Sequence, residues 1–346
     1  MVARNLIFHN ILMLFILVFC SCDRGSFPTQ PQNTDTYVAK FPTTPYGTFV
    51  AYHRGRELFR IYAPKWRDGH RSAVSITYDA PWGINPVFSL ATDAVMYRDL
   101  RMDIEIVTEK LLFSSRFPIV ARIREELLPN GVGVFGHGHA HIDHDALTYH
   151  EAYQSFRTNF ELMRQWGLHP KVYAYPLFAG QLRRTQAANR QAGFIAARGG
   201  TTNSFEYYLC REEPCKPGSW FNLPSVIMGT ARSYDIANHD ELRPILQNTL
   251  DSGAWTILTY HSIGNPEGWG FYPYDEFTQD LDFISYNDFW CGNFAEVATY
   301  IHQRNNLEIN IARYFGNNTP SQFELFIGDG LNNDLYDEEL TLDIDF

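Results

Sequence analysis

The chain is short of positive charge: 28 Lys and Arg stand against 39 Asp and Glu, a formal net charge of −11 at pH 7. Phosphate backbones are bound through a basic footprint, so this balance excludes nucleic acid as the expected partner. Long apolar runs are missing too. A membrane-spanning helix needs about 20 apolar residues, whereas the run from Leu6 to Cys20 is shorter and is interrupted by His9 and Asn10. No internal repeat is visible, and cysteine is scarce, with 5 in 346 residues. Charged residues are only 19% against 45% hydrophobic, which leaves ample apolar material for a large core and excludes a disordered chain. A chain of this length suggests about two domains or one large α/β barrel with extensions.

What is present begins at the N-terminus. Arg4 and Asn5 precede the apolar run and Ser21-Cys22 follow it, the layout of an export signal. Phe19-Cys20-Ser21-Cys22 resembles a loose bacterial lipobox, with Ser21 before the Cys that would be cleaved at and acylated; an ordinary cleaved signal or an uncleaved anchor is the plainer alternative. Either way the expected destination is outside the cytoplasm. With the lipobox reading it is the bacterial cell envelope, on the membrane through a lipid anchor at Cys22. Cys210 and Cys215 are close enough to close a small disulfide in an oxidising compartment, and the spacing also permits two free thiols. Cys291, within Phe289-Trp290-Cys291, reads as a buried thiol.

Four segments of the chain follow: 1–22 as export signal, 23–69 as tether and N-terminal extension, 70–306 as a catalytic domain and 307–346 as a β appendage. Residues 23–46 are rich in Pro, Thr, Gln and Asn, which suits a tether. Strands are expected at Ala73–Tyr78, Val132–Phe135, Val172–Tyr175, Phe194–Ala197 and Trp255–Tyr260. Helices are expected at His150–Trp166, Arg184–Ala192 and Phe294–Arg304. Strands alternating with helices imply a parallel sheet, open or closed into a barrel. After Asn306, Leu307–Ala312, Phe323–Ile327 and Leu340–Phe346 alternate as strands between polar turns.

The chemistry gathers directly after strands, where α/β sheets and barrels assemble their sites. Asp79 follows Ser75-Ile76-Thr77-Tyr78 and has the position of a general base, a metal ligand or a helix N-cap; position alone favours the cap. Gly136-His137-Gly138-His139-Ala140-His141-Ile142-Asp143-His144 holds four of the chain's 12 His. His137 and His141 are four apart, so on a helical turn both imidazoles face one way and share a divalent cation, with His139 facing away. A His-rich solvent loop is the plainer reading, and the spacing favours the metal. Tyr175-Pro176-Leu177 ends a strand at a proline, freeing the next backbone N–H to face a ligand. His261, at the end of Ile257-Leu258-Thr259-Tyr260, is either a structural histidine or an acid that titrates near neutrality.

Taken in order, these segments resemble the polysaccharide deacetylase (NodB homology) domain, carbohydrate esterase family 4, over roughly residues 70–305. Thr77-Tyr78-Asp79-Ala80 stands at the family's Thr-Phe-Asp-Asp, which implies Asp79 as catalytic base. The His-x-x-x-His motif falls on His137 and His141 as metal ligands. Arg-x-Pro-Tyr falls on Ala174-Tyr175-Pro176-Leu177, which implies that the Leu177 N–H faces the oxyanion. Leu-x-His falls on His261 as general acid. Gly193-Phe194-Ile195-Ala196-Ala197-Arg198 and His261-Ser262-Ile263-Gly264 with Gly268-Trp269-Gly270 add to the likeness.

The resemblance implies a distorted (β/α) barrel of the polysaccharide deacetylase type with a short C-terminal β extension. It also implies a divalent cofactor, zinc first and cobalt or nickel next, and hydrolysis of N- or O-acetyl groups on an acetylated glycan. Tyr175, Pro176, Trp82 and Trp269 are the expected substrate contacts; loop packing accounts equally well for the tryptophans. Two departures stand out. Ala80 replaces the family's third metal ligand, and Ala174 replaces the Arg that orients the base. Arg198 is a candidate replacement for that Arg, and a structural ion pair is the alternative. The loss at Ala80 motivates a second expectation, a catalytically silent glycan-binding lipoprotein.

Overall fold

The structure, a computed structural model, describes residues 15–20, 36–39, 47–79, 86–112, 117–315 and 322–346. Cys22, Ala80 and Trp82 lie outside the described residues. The chain divides into two compact units, one of Arg71–Ala298 and one of Met1–His70 with Thr299–Phe346.

The larger unit is built on a parallel sheet of β1 (Ser72–Tyr78), β2 (Met102–Ile106), β3 (Val132–Gly136), β4 (Val172–Ala174), β5 (Ala196–Arg198), β6 (Val226–Ile227), β7 (Trp255–Tyr260) and β8 (Phe289–Cys291). The order is β6-β7-β1-β2-β3-β4-β5, with β8 also pairing with β1. Every residue of β1 and β7 is buried. Strands covered on both faces read as continuous rather than alternating runs, and their hydroxyls must find partners inside. Thr77 Oγ1 donates to Leu258 O at 2.7 Å, Ser75 Oγ to Gly292 O at 2.9 Å, and Trp255 Nε1 to Ser75 Oγ at 3.1 Å. One core, including Val74, Ile76, Ile104, Val134, Leu246 and Leu258, packs helices against the sheet. The result is the expected α/β architecture, a distorted (β/α) barrel.

The helix Tyr149–Gln165 starts at a capping box, in which Thr148 Oγ1 accepts from the Glu151 amide at 3.3 Å and Glu151 Oε2 from the Thr148 amide at 2.9 Å. It buries Phe156, Phe160 and Met163 against the sheet. Helices Arg183–Ala192 and Phe294–Asn305 lie within a residue of the sequence expectation. Periodicity alone did not disclose β2 or the helices Pro86–Tyr97, His239–Ser252 and Tyr274–Tyr286. In β2 two acids interrupt the apolar pattern, and His239–Ser252 carries an internal Pro244, a residue that ordinarily breaks helices.

The smaller unit holds two sheets. In one, Phe15–Cys20 runs parallel to Gln322–Gly328, which pairs antiparallel with Glu308–Phe315. In the other, Thr36–Ala39, Thr48–His53, Arg56–Tyr62 and Asp343–Asp345 are antiparallel neighbours. Phe49, Phe59 and Ile61 of the second share one apolar core with Ile309, Phe323 and Leu325 of the first. The strands after Asn306 therefore pack with strands from the stretch expected as tether and extension, and Gln322–Gly328 also pairs with Phe15–Cys20, which lies within the stretch expected as export signal.

Candidate active site

The register of the parallel sheet brings the site together. Tyr78 is level with Tyr260 on β7 and with Ile104 on β2. One residue further along each strand come His261, Asp79 and Glu105, side by side on one face. Glu105 is level with Phe135 on β3, and His137 lies two residues on, on the same face. Ala174 on β4 is level with Arg198 on β5. Five chemically active side chains thus share the carboxyl end of the sheet with no motif joining them in sequence.

Asp79 is buried, and Arg198, which is wholly buried, donates from Nη2 to Asp79 Oδ1. Its other oxygen, Oδ2, lies 3.9 Å from His261 Nε2. Burial lowers the His261 pKa to about 4, although the nearby Asp79 charge acts the other way. The imidazole is therefore neutral at pH 7. Arg198 occupies the place considered for it, contacting Asp79 from the position beside Ala174.

The two metal-motif histidines do meet, but not on a helical turn. They sit on the loop after β3, with ring centroids 5.1 Å apart. Gly138, at φ +92°, turns that loop so tightly that a Cβ there would meet Ala140 O at 2.5 Å. The loop is pinned by the Glu109 amide on His139 O at 2.8 Å and by Asn159 Nδ2 on Gly138 O at 2.8 Å. His139 turns away to Thr108 Oγ1, 3.0 Å from its Nδ1, and His144 is buried on Phe156 with ring centroids 4.5 Å apart.

His137 Nδ1 lies 2.9 Å from Ala174 O. A carbonyl oxygen only accepts, so Nδ1 carries the proton. Burial, and then His141, hold the His137 pKa well below its ordinary value, so Nε2 keeps its lone pair. That lone pair faces Glu105 Oε2 at 3.3 Å. Ligand-type atoms of Asp79, Glu105 and His137 all lie within 4.8 Å of one another. An imidazole anchored through its other nitrogen beside a buried carboxylate is the kind of donor pair a divalent metal takes, and the cluster fits such an ion.

A pocket of about 460 Å³ is lined by these groups and by Leu177, Phe178, Arg232 and Trp269. Leu177 is 63% exposed and has φ +56°, in a turn whose hydrogen bonds run from Phe178 N to Tyr175 O and from Ala179 N to Pro176 O. Tyr175 lines the pocket as a buried ring with its hydroxyl on Phe221 O at 3.1 Å, and Pro176 is buried beneath the turn. Trp269 is exposed and packs edge-on to His261 at 4.4 Å. Sequence reasoning missed Glu105, Phe178 and Arg232. The Arg232 guanidinium lies 4.8 Å from the Phe178 ring centroid and pairs with Asp235 at 3.1 Å. Glu105 left one signal: an acid in an apolar alternation whose neighbours are strand residues.

Neither a family model nor a curated protein matches the sequence. Solved structures do. A Mycobacterium smegmatis protein assigned to the polysaccharide deacetylases aligns at 16% identity over 69% of this chain and 93% of its own, with a TM-score of 0.51. The larger unit has the polysaccharide deacetylase fold. Also similar are the peptidoglycan deacetylase PdaC of Bacillus subtilis (12% identity, 65% of this chain and 89% of that one, TM-score 0.43) and a carbohydrate esterase family 4 pseudoenzyme of Bacillus anthracis (13%, 66% and 65%, 0.40).

Proposed function

We propose that this chain is an exported, metal-dependent hydrolase that removes N- or O-acetyl groups from a glycan. The observation that carries the reading is the meeting of Asp79, His137, His141 and His261 around one pocket of a polysaccharide deacetylase fold. A divalent ion such as zinc, held by His137 and His141, would supply Lewis acidity and a water that ionises near neutrality.

The chain's own residues account for the proton movements. Arg198 occupies Asp79 Oδ1, so Oδ2 is the oxygen free to take a proton from the attacking water. His261 Nε2, neutral at rest and facing Oδ2, would receive that proton and deliver it to the departing amine or alkoxide. The Leu177 N–H would donate to the carbonyl oxygen as it gains charge, an interaction worth about 3–4 kcal/mol in comparable sites. Trp269 and Phe178 offer ring faces to the apolar side of a sugar.

The Cys210–Cys215 disulfide supports an oxidising destination. With the Ser21-Cys22 pattern it favours a lipid-anchored protein of the cell envelope. Ala80 favours the second reading, a silent glycan-binding lipoprotein. Acetate release by the purified chain from a panel of acetylated glycans, with and without zinc or cobalt, separates the two. Metal-dependent release supports the enzyme; glycan binding that chelators do not affect, without release, supports the silent protein.

A further inference from the structure

We propose that Glu105 is the third protein ligand of the metal, completing a Glu105–His137–His141 set in place of the carboxylate that Ala80 cannot provide. This rests on the metal-dependent reading above and decides which of the clustered carboxylates serves the ion. The side chains of Glu105 and His137 are 5% and 2% exposed, so their 3.3 Å approach takes place almost wholly out of water. A tetrahedral zinc site with bonds of about 2.0–2.2 Å has ligand–ligand edges of roughly 3.4 Å. The Glu105 Oε2 to His137 Nε2 separation matches that edge.

His137 is also prepared as a ligand. Its Nδ1–H is held by Ala174 O, the second-shell contact that fixes a metal-binding imidazole, and its Nε2 lone pair points at the carboxylate. His141 stands beside it on the same pocket wall. Asp79 is engaged elsewhere, with Oδ1 on Arg198 and Oδ2 toward His261. It thus stays the base, and Glu105 takes the ion.

The register explains how the exchange is possible. Tyr78 is level with Ile104, so the residue after each, Asp79 and Glu105, emerge together from adjacent strands. A carboxylate carried one strand over therefore reaches the same point as one carried one residue on. The charge lost at Ala174 reappears the same way, at Arg198, its register partner.

The test is zinc binding by the purified full chain, measured by chelator competition, and the visible absorption of the cobalt form. Neither readout depends on turnover. The wild-type chain should bind one ion. Glu105→Gln should lower the affinity by at least about 100-fold, beyond the 10- to 100-fold range of second-shell losses, and should alter the cobalt spectrum. Glu125→Gln, an exposed carboxylate that does not line the pocket, should do neither. In chelator, Glu105→Gln should melt no lower than wild type, since it removes a buried carboxylate that faces an imidazole lone pair. If Glu105→Gln does not fold, Glu105→Asp, one methylene shorter, should bind about 10-fold more weakly, with a shifted spectrum. Wild-type affinity and spectrum in the Glu105 variants, with binding lost in His137→Ala, would overturn the role of Glu105 and leave the metal reading intact. A wild-type chain that binds neither zinc nor cobalt would overturn both.

Discussion

Arg198 is wholly buried, and its Nε and Nη1 have no hydrogen-bond partner among the described residues. What holds it is Asp79 and the Phe135 ring, 5.1 Å from the guanidinium carbon. Removing one member of a buried pair typically costs about 3–5 kcal/mol because the other charge is left behind. Arg198→Met should therefore lower the melting temperature well beyond a surface substitution. It should also lower kcat more than it raises KM, since Asp79 Oδ1 loses the donor that holds the carboxylate in place; a kcat like that of the wild type in a destabilised variant would rule out Arg198 as the positioning residue of the base. Leu177 poses the opposite case. A left-handed φ at a non-glycine residue costs on the order of 1–2 kcal/mol, and the next residue, Phe178, is at φ +56° as well. If Leu177 acts only through its N–H, Leu177→Gly should leave acetate release within a few-fold of wild type and keep or raise the melting temperature. A loss of release near 100-fold would mean that the side chain itself matters.

At the scale of elements, the site depends on how one helix is tied to two strand ends. Asn159, buried in Tyr149–Gln165, donates from Nδ2 to Ile106 O at 2.9 Å and to Gly138 O at 2.8 Å. It joins the end of β2, which carries Glu105, to the loop that carries His137 and His141. Asn159→Ala removes both bonds while Ile106 O keeps the His137 amide and Gly138 O the Thr108 amide, so the cost is that of the lost bonds, about 0.5–1.5 kcal/mol each. Zinc affinity should fall in that variant together with thermal stability; intact affinity in a destabilised variant would show that the loop is held by other contacts. The helix itself was legible in the sequence, from its cap and its apolar period. The ties were not, because an Asn in an amphipathic stretch carries no sign of which distant carbonyl it meets. The pairing of His137 with His141 was legible as a spacing, but the loop geometry that achieves it depends on Gly138 and on hydrogen bonds from Thr108 and Glu109, some 30 residues earlier.

Over the whole molecule, burial sets the response to acid. Burial lowers the pKa values of His137, His141, His144, His261 and His302, with His144, His261 and His302 each brought to about 4. An unfolded histidine titrates near 6.5, so between about pH 6.5 and 4 the unfolded chain binds more protons at these sites. Stability from them is present above pH 6.5 and is lost as the pH falls. Asp103 and Asp280, raised by burial to about 7 and about 6, act in reverse: the fold holds protons that the unfolded chain releases, so their contribution is lost as the pH rises. Five sites against two give a net loss on acidification. The metal-free chain should melt progressively lower from pH 6.5 to 4.5, with a shallower slope in His144→Gln; a melting temperature that rises over that range would contradict the balance. The sequence by itself determined the alternation of strand and helix, the places where polar residues follow apolar runs, and the order of the motifs, because these depend on local periodicity and spacing. Only the tertiary structure decided that Glu105 stands beside His137, that Arg198 reaches Asp79 from the strand next to Ala174, and that N-terminal and C-terminal strands share one core. Those relations are set by the register and order of strands distant in sequence, and side chains level across a sheet leave no mark in the spacing along the chain.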